Sequence, residues 1–135
     1  MERAEGKPDT EKLRGKRILV VEDHPLVGKL LTDLLRPYDN PSQANSGKDA
    51  LAQIKHKAPD VILLDLSLPD MNGLEVARLV RRNEKTSRIP ILAMSGRTMD
   101  KNKCLETGCN DLIIKPFSLS TLLVRLSALI REKVN

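Results

Sequence analysis

The chain alternates short, uninterrupted apolar runs with segments in which apolar residues recur at helical spacing. A run that is apolar at every position is typical of a strand covered on both faces, whereas helical spacing indicates a helix with one buried side. Because the two patterns alternate five times, they predict an α/β domain: a parallel sheet with helices on both faces, joined by right-handed crossovers. The apolar runs lie at 18–21, 61–64, 90–94 and 112–114.

Between these runs, turn-forming residues indicate where helices begin and end. Ser118 is placed to cap the last helix, and Gly108 is a suitable terminator for the helix before it. A weaker strand is predicted at 42–44 beside Pro41, a residue that such a sheet tolerates only at an edge. The predicted helices lie at 27–35, 50–54, 74–80, 99–107 and 119–130.

The length of 135 residues suits one domain that folds without a disulfide or metal. Residues 1–16 are polar and lack apolar periodicity, so they are predicted to be a flexible tail before a domain at 17–135. No apolar run approaches the length of a membrane span, and the charged start lacks the apolar stretch of a signal peptide. The chain is therefore expected to be cytoplasmic, with no membrane partner.

Composition excludes several classes of binding site. With one Tyr, one Phe and no Trp, the chain lacks the aromatic faces that single-stranded nucleic acid or a flavin would stack on. Cys104 and Cys109 are too few for a disulfide scaffold or a zinc site. The net charge of +5 comes from intermixed basic and acidic residues, so direct DNA binding is not expected.

Polar residues stand where four of the predicted strands end. They are Glu22 with Asp23, then Asp65, then Ser95, then Lys115. In open parallel sheets, chemistry collects at the carboxyl ends of the strands. Converging carboxylates repel one another unless a cation lies between them, and an all-oxygen cluster suits Mg²⁺. Taken singly, each residue is equally well explained as a helix cap, a turn former or a solvated strand end.

Four stretches together carry a family resemblance: ILVVEDHP, VILLDLSLPDMNG, ILAMSG and NDLIIKPF. Across about residues 17–133, the chain resembles the receiver domain of bacterial two-component response regulators, and its length resembles that of a stand-alone receiver of the chemotaxis type. The resemblance implies a flavodoxin-like (βα)5 fold with strand order 2-1-3-4-5. It also implies phosphorylation by a sensor histidine kinase or a histidine phosphotransfer protein.

The resemblance assigns a metal site at the ends of the first and third strands. Asp23 would bind Mg²⁺ directly, with Asp65 and the backbone carbonyl of Ser67 as further ligands. Glu22 would bind the metal directly or through a bound water. Glu22 stands where many receivers have a second aspartate, a change that leaves an oxygen ligand in place.

The resemblance also assigns the residues that handle the phosphoryl group. Asp65 would be the acceptor, Lys115 would pair with the phosphoryl group, and Ser95 would be the switch hydroxyl that moves to bond it. The peptide bond between Lys115 and Pro116 is expected to be cis. Leu112 stands where the family commonly has an aromatic switch residue.

As a receiver, the chain would signal by protein–protein interaction and would not be an enzyme in the ordinary sense. Its target would bind the face formed by the fourth predicted helix, the last strand and the last helix, and the chain would be a monomer or a phosphorylation-dependent dimer. One alternative is an interaction domain that works without phosphate. Another is an aspartate-nucleophile phosphatase, but those enzymes carry a general acid two residues after the nucleophile, where this chain has Ser67.

Overall fold

A computed structural model describes residues 6–98 and 100–130, and its centre is a five-stranded parallel sheet. The strands lie in the order β2-β1-β3-β4-β5, and every neighbouring pair is parallel. The α/β class and the strand order are therefore as predicted. The strands are β1 (Arg17–Val21), β2 (Asn40–Ala44), β3 (Val61–Asp65), β4 (Ile91–Ser95) and β5 (Asp111–Ile114).

One helix follows each strand, and all five predicted helices are present. Ser118 caps the last of them, its hydroxyl accepting a hydrogen bond of 3.0 Å from the N–H of Thr121. Met99, the predicted first residue of the fourth helix, lies outside the described residues. None of the helices in the described ranges is long and apolar enough to cross a membrane. The helices are α1 (Thr10–Leu13), α2 (Pro25–Leu35), α3 (Gly47–His56), α4 (Gly73–Arg82), α5 (Asp100–Thr107) and α6 (Leu119–Leu129).

The sheet separates two apolar clusters, one on each face. Along β1, Ile18 and Val20 point to the cluster that contains the leucines of α1, α2 and α6. Leu19 and Val21 point to the cluster shared with α3, α4 and α5. Because both faces are covered, the central strands are apolar throughout, which is the pattern their sequences showed.

The weak strand is at the sheet edge, as its proline required. β2 pairs with β1 alone, and Pro41 stands opposite Ile18 in the parallel register. At an edge, the missing N–H of a proline leaves no ladder bond unmade. This strand is also the least buried of the five.

The segment predicted as a flexible tail contains structure. Residues 10–13 form the short helix α1, and Leu13 is 0% exposed in the cluster that also contains α6 leucines. The N–H of Asp9 donates to the hydroxyl of Ser127 on α6 at 3.4 Å. A single leucine among polar residues produces no periodicity, so the sequence pattern could not show that this segment docks.

Helix α2 buries less of its apolar surface than its spacing predicted. Leu31 and Leu35 lie in the core, but Leu30 is 57% exposed and Leu34 is 37% exposed. Leu26, in the first turn of the same helix, is 72% exposed. The apolar residues of α2 extend around more of the helix than the sheet can cover, so three leucines remain at the surface.

Candidate functional site

Backbone hydrogen bonds continue past the strand ends and position the site. The N–H of Glu22, one residue beyond β1, donates to the carbonyl of Ala44 at 3.0 Å. The N–H of Lys115, one residue beyond β5, donates to the carbonyl of Ser95 at 2.8 Å. These bonds hold both side chains at the carboxyl edge of the sheet, beside Asp65 at the end of β3. A cavity of about 740 Å³ opens there, and its polar lining is Glu22, Asp23, His24, Asp65, Ser67 and Lys115.

Three carboxylates form an acidic cluster in this cavity. Glu22, Asp23 and Asp65 each offer an oxygen within 4.8 Å of the others. Glu22 and Asp65 are buried, and Asp23 is more exposed. Asp23 does not cap α2, because the N-cap residue is His24 and no side chain makes a cap bond there. The simpler interpretation of Glu22 and Asp23 as helix caps is therefore not what the structure shows.

The cluster contains an oxygen that suits a cation. Oε2 of Glu22 is buried and has no hydrogen-bond partner among the residues the structure describes. The ammonium of Lys115 lies 3.7 Å from it, beyond hydrogen-bond distance. Buried carboxylate oxygens without partners are costly, and a hard divalent ion with oxygen ligands relieves that cost. The donor set therefore fits Mg²⁺.

Asp65 is the most constrained carboxylate in the cavity. Its Oδ2 accepts from the ammonium of Lys115 at 2.8 Å, and its Oδ1 accepts from the N–H of Ser67 at 2.8 Å. Burial favours the neutral form of Asp65, but hydrogen bonds with Glu22, Lys115 and Ser67 outweigh it and hold the pKa below its usual range. Asp65 is therefore ionised at neutral pH and able to act as a nucleophile.

The hydrogen bond and the charge of Asp65 raise the pKa of both Glu22 and Lys115. Burial, followed by the hydrogen bond and the charge of Asp65, raises the pKa of Glu22 to about 8. Burial lowers the pKa of Lys115, but the bond and charge of Asp65 and the charge of Glu22 outweigh it, so the pKa is raised. Without a cation, Glu22 therefore holds a proton at neutral pH while Lys115 stays charged. The peptide bond between Lys115 and Pro116 is cis, as expected.

Ser95 reaches this edge of the sheet, but its hydroxyl points to a different partner. Its Oγ donates to Oδ2 of Asp100 at 2.7 Å and accepts from the N–H of Arg97 at 3.0 Å. Within the described ranges, the hydroxyl makes no hydrogen bond to Asp65 or Lys115. Asp100 was not identified from the sequence, because an acid at the start of a helix resembles an ordinary first-turn residue.

The loop after β3 is held by close packing at Gly73 and by hydrogen bonds to the carboxylate of Asp70. A Cβ added to Gly73 would lie 2.6 Å from the carbonyl oxygen of Asp65, so only glycine fits there. Asn72 caps α4, its Oδ1 accepting from the N–H of Leu74 at 2.9 Å. The two carboxylate oxygens of Asp70 accept hydrogen bonds from the N–H groups of Gly47 and Lys48 at 2.9 Å each. These bonds tie the loop to the start of α3.

The residue at the usual aromatic position is part of the core. Leu112 is 5% exposed and lies in the same apolar cluster as Cys104 and Cys109. Both cysteines are free and buried. The position therefore supports the packing of α5 against β5 in this structure.

Apolar residues also line the cavity that holds the carboxylates. Leu30 and Leu34 of α2 contribute to it, together with Phe117 and Leu119 beyond the cis peptide. Leu30 and Leu34 are exposed, so the wall continues onto the surface. The cavity thus combines an acidic centre with an accessible apolar rim.

Comparison with known proteins identifies one family across most of the chain. A family model described as the response regulator receiver domain matches residues 18–127. The chain is 35% identical over 134 residues to the probable transcriptional regulatory protein TcrX of Mycobacterium tuberculosis, covering 98% of this chain and 54% of that protein. The chain spans about half the length of the curated relatives it matches.

Solved structures show the same fold. A crystal structure of a putative response regulator from Chloroflexus aurantiacus has a TM-score of 0.82 and 31% identity, with 86% of this chain and 98% of that chain covered. The receiver domain of the sensor histidine kinase PA1611 from Pseudomonas aeruginosa has a TM-score of 0.76 and 30% identity, with 85% and 99% covered. That structure has a magnesium ion coordinated in its active-site cleft. The chain belongs to the response regulator receiver domain family.

Proposed function

We propose that Asp65 accepts a phosphoryl group from a phosphohistidine of a sensor histidine kinase or a histidine phosphotransfer protein. The observation that carries the proposal is the contact of 2.8 Å between Lys115 and Asp65 inside a cluster of three carboxylates. The lysine keeps the acceptor ionised and is already beside the place where the phosphoryl group arrives. Phosphoryl transfer depends mainly on such positioning and charge neutralisation.

The transfer itself requires little other chemistry from the protein. An oxygen of Asp65 forms a bond to phosphorus as the phosphorus–nitrogen bond of the donor breaks, and the histidine leaves as neutral imidazole after taking up a proton. Lys115 balances negative charge on the transferred group. The N–H of Ser67, which donates to Oδ1 of Asp65, fixes the orientation of the carboxylate.

Glu22, Asp23 and Asp65 would hold Mg²⁺, with the backbone carbonyl of Ser67 as a further ligand. Bound Mg²⁺ would neutralise charge on the phosphoryl oxygens. The buried, unpartnered Oε2 of Glu22 supports this assignment, as does the magnesium reported in the cleft of the PA1611 receiver domain. A divalent ion would also favour loss of the proton that Glu22 otherwise holds.

The apolar rim of the cavity is proposed to contact the phosphodonor. A donor protein has to bring its histidine to Asp65 and must therefore cover the surface around the cavity mouth. Leu30 and Leu34 line the cavity and expose apolar area on α2, and Leu26 is exposed in the first turn of the same helix. Exposed apolar clusters next to a site commonly mark a protein interface.

The face formed by α5, β5 and α6 is proposed to bind the downstream partner. The chain is proposed to act as a monomer or as a phosphorylation-dependent dimer. Ser95 supports this assignment, because its hydroxyl bonds Asp100 at the first residue of α5. A change at Ser95 therefore reaches this face directly. The downstream partner of this chain is proposed to be a protein. The chain's relative TcrX is a probable transcriptional regulatory protein.

The alternative of an interaction domain that works without phosphate is not favoured. Such a domain has no need of an acceptor, a lysine and a complete acidic cluster in one cavity. All of these are present, and Lys115 and Asp65 are already in contact. The buried Leu112 does not remove any part of this site.

The proposal is tested by intact-mass measurement after incubation with Mg²⁺ and acetyl phosphate, quenched promptly in acid. We expect a gain of one phosphoryl group that is lost with a chelator and in Asp65→Asn. Thermal unfolding with Mg²⁺ is the companion measurement, and we expect Mg²⁺ to stabilise the protein but not Asp23→Asn. A protein that gains no phosphoryl group and is not stabilised by Mg²⁺ would overturn the proposal.

A further inference from the structure

The hydroxyl of Ser95 is fully engaged in this structure. Ser95 is 5% exposed, donates to Oδ2 of Asp100 at 2.7 Å and accepts from the N–H of Arg97 at 3.0 Å. A longer approach of 3.5 Å to the carbonyl of Arg97 is the alternative acceptor. Because a hydroxyl has one proton to donate, Ser95 cannot bond a phosphoryl group while it bonds Asp100.

We propose that Asp100 is a positioning residue that holds the Ser95 hydroxyl away from Asp65 until a phosphoryl group competes for its proton. This inference rests on the proposed function, since it concerns the regulation of the same site. The contact is a charge-assisted hydrogen bond, the stronger kind. Asp100 therefore sets how easily the phosphorylated arrangement forms.

The backbone around Ser95 is fixed, so the exchange is a side-chain movement. Ser95 stands opposite Ile114 in the register of β4 and β5, and its carbonyl accepts from the N–H of Lys115 at 2.8 Å. These bonds keep Ser95 beside the residue that contacts Asp65. Rotation about the Cα–Cβ bond of Ser95 redirects the hydroxyl without breaking the sheet.

The phosphoryl group is the more highly charged of the two competing acceptors. A phosphoryl group on Asp65 carries close to two negative charges, against one on the carboxylate of Asp100. Asp100 is only half-buried, so water can solvate its carboxylate once the serine leaves. It is also the first residue of α5, where the helix dipole favours a negative charge. Loss of the serine bond therefore changes the first turn of α5 without leaving a buried, unpaired charge.

The experiment measures the affinity of the protein for beryllofluoride, a phosphoryl mimic, in the presence of Mg²⁺ by ¹⁹F NMR. We expect Asp100→Ala to bind it about three- to tenfold more tightly than the unchanged protein, because the Ser95 hydroxyl no longer has to leave a charged acceptor. Glu106→Ala is the matched control, since Glu106 is an exposed acid on the same helix. We expect Glu106→Ala to leave the affinity unchanged.

A double-mutant cycle separates the hydrogen bond from the charge. With Ser95→Ala as the background, Asp100→Ala should no longer change the affinity, because the hydroxyl it held is absent. Asp100→Asn keeps an oxygen acceptor without the charge, so it should give a smaller gain than Asp100→Ala. It also serves as the test if Asp100→Ala does not fold.

The outcomes distinguish this inference from the proposed function. If the unchanged protein binds beryllofluoride but neither Asp100 variant binds it more tightly, the positioning role is wrong and the proposed function stands. The role is also wrong if the gain persists in the Ser95→Ala background, since it then reflects charge alone. If the unchanged protein does not bind the mimic with Mg²⁺, the proposed function fails and this inference fails with it.

Discussion

The ammonium of Lys115 lies 2.8 Å from Oδ2 of Asp65 and 3.7 Å from Oε2 of Glu22. One cation therefore contacts the proposed acceptor directly, while Oε2 of the second buried carboxylate, Glu22, lacks a hydrogen-bond partner among the described residues. The positive charge of Lys115 keeps Asp65 ionised. It does not neutralise the whole acidic cluster, so the site can also accept the charge of a metal ion. Both features are what phosphoryl transfer to a carboxylate requires.

Replacing Lys115 should slow phosphorylation without unfolding the protein. Lys115→Met keeps the length of the side chain but removes the charge beside Asp65, so we expect the rate with acetyl phosphate and Mg²⁺ to fall by about a hundredfold. The rate is measured by intact mass over time. Lys55→Met, at an exposed lysine on α3, should change it little. A rate for Lys115→Met within twofold of the unchanged protein would contradict the role given to Lys115.

Gly73→Ala should destabilise the fold and disturb the site together. Its Cβ would meet the backbone of Asp65 and Leu66 at 2.6 Å, and backbone cannot move aside as a side chain can. We expect a loss of about 1–3 kcal/mol in the free energy of unfolding, measured in urea.

Gly28→Ala is the matched control for that change. Gly28 is also in a helix, but the atoms its Cβ would meet belong to the flexible side chain of Gln43. Movement of that side chain and the better helix propensity of alanine should keep the net effect well below that of Gly73→Ala. Equal losses for the two variants would show that the contact with Asp65 is not what requires glycine at 73.

Asp39→Asn should stabilise the protein at neutral pH and not in acid. Both carboxylate oxygens of Asp39 are buried without a partner among the described residues, and burial raises its pKa to about 7. In the unfolded chain this group titrates near pH 4. The folded state therefore holds a proton that the unfolded state releases, and stability falls as pH rises from about 4 to about 7.

The variant removes that dependence. We expect Asp39→Asn to be more stable than the unchanged protein by about 1–3 kcal/mol at pH 8, and the difference to approach zero near pH 4. Urea unfolding at the two pH values measures it, with Glu84→Gln at an exposed acid as the control. A difference that does not depend on pH would show that Asp39 is not buried in its charged form.

Leu13→Ala tests whether the segment before β1 belongs to the fold. Leu13 is 0% exposed, so its truncation should lower the free energy of unfolding by about 2–4 kcal/mol. Leu26→Ala removes the same atoms from a side chain that is 72% exposed and should cost less than about 0.5 kcal/mol. Chemical denaturation of both variants gives the comparison. Equal stability of the two would restore the prediction of a polar tail over residues 1–16.

The parts of the site that follow a strand could be predicted from the sequence. Continuous apolar runs mark buried parallel strands, so the sequence alone places Asp65, Ser95 and Lys115 at the carboxyl edge of the sheet. Their convergence follows from the topology of the sheet. The structure brings Asp65 and Lys115 into direct contact, as that placement implies.

Contacts that depend on side-chain direction could not be predicted in the same way. Asp70 bonds the start of α3 across 22 and 23 residues of chain, and no local pattern encodes that distance. Asp100 follows Ser95 by five residues, but its position at a helix start already explains an acid there. Leu30 is spaced as a core residue, yet the sheet leaves it exposed. In each case tertiary packing determines the contact or the exposure of the side chain. The spacing of residues in the sequence does not indicate either.

The most direct test of the account is to locate the phosphoryl group. Borohydride reduces an acyl phosphate on aspartate to homoserine, which peptide mass mapping identifies. After phosphorylation with acetyl phosphate and Mg²⁺, the account predicts homoserine at position 65 only. Every other aspartate, including Asp23, should remain aspartate. Homoserine at Asp23, or at several aspartates without preference for Asp65, would contradict it.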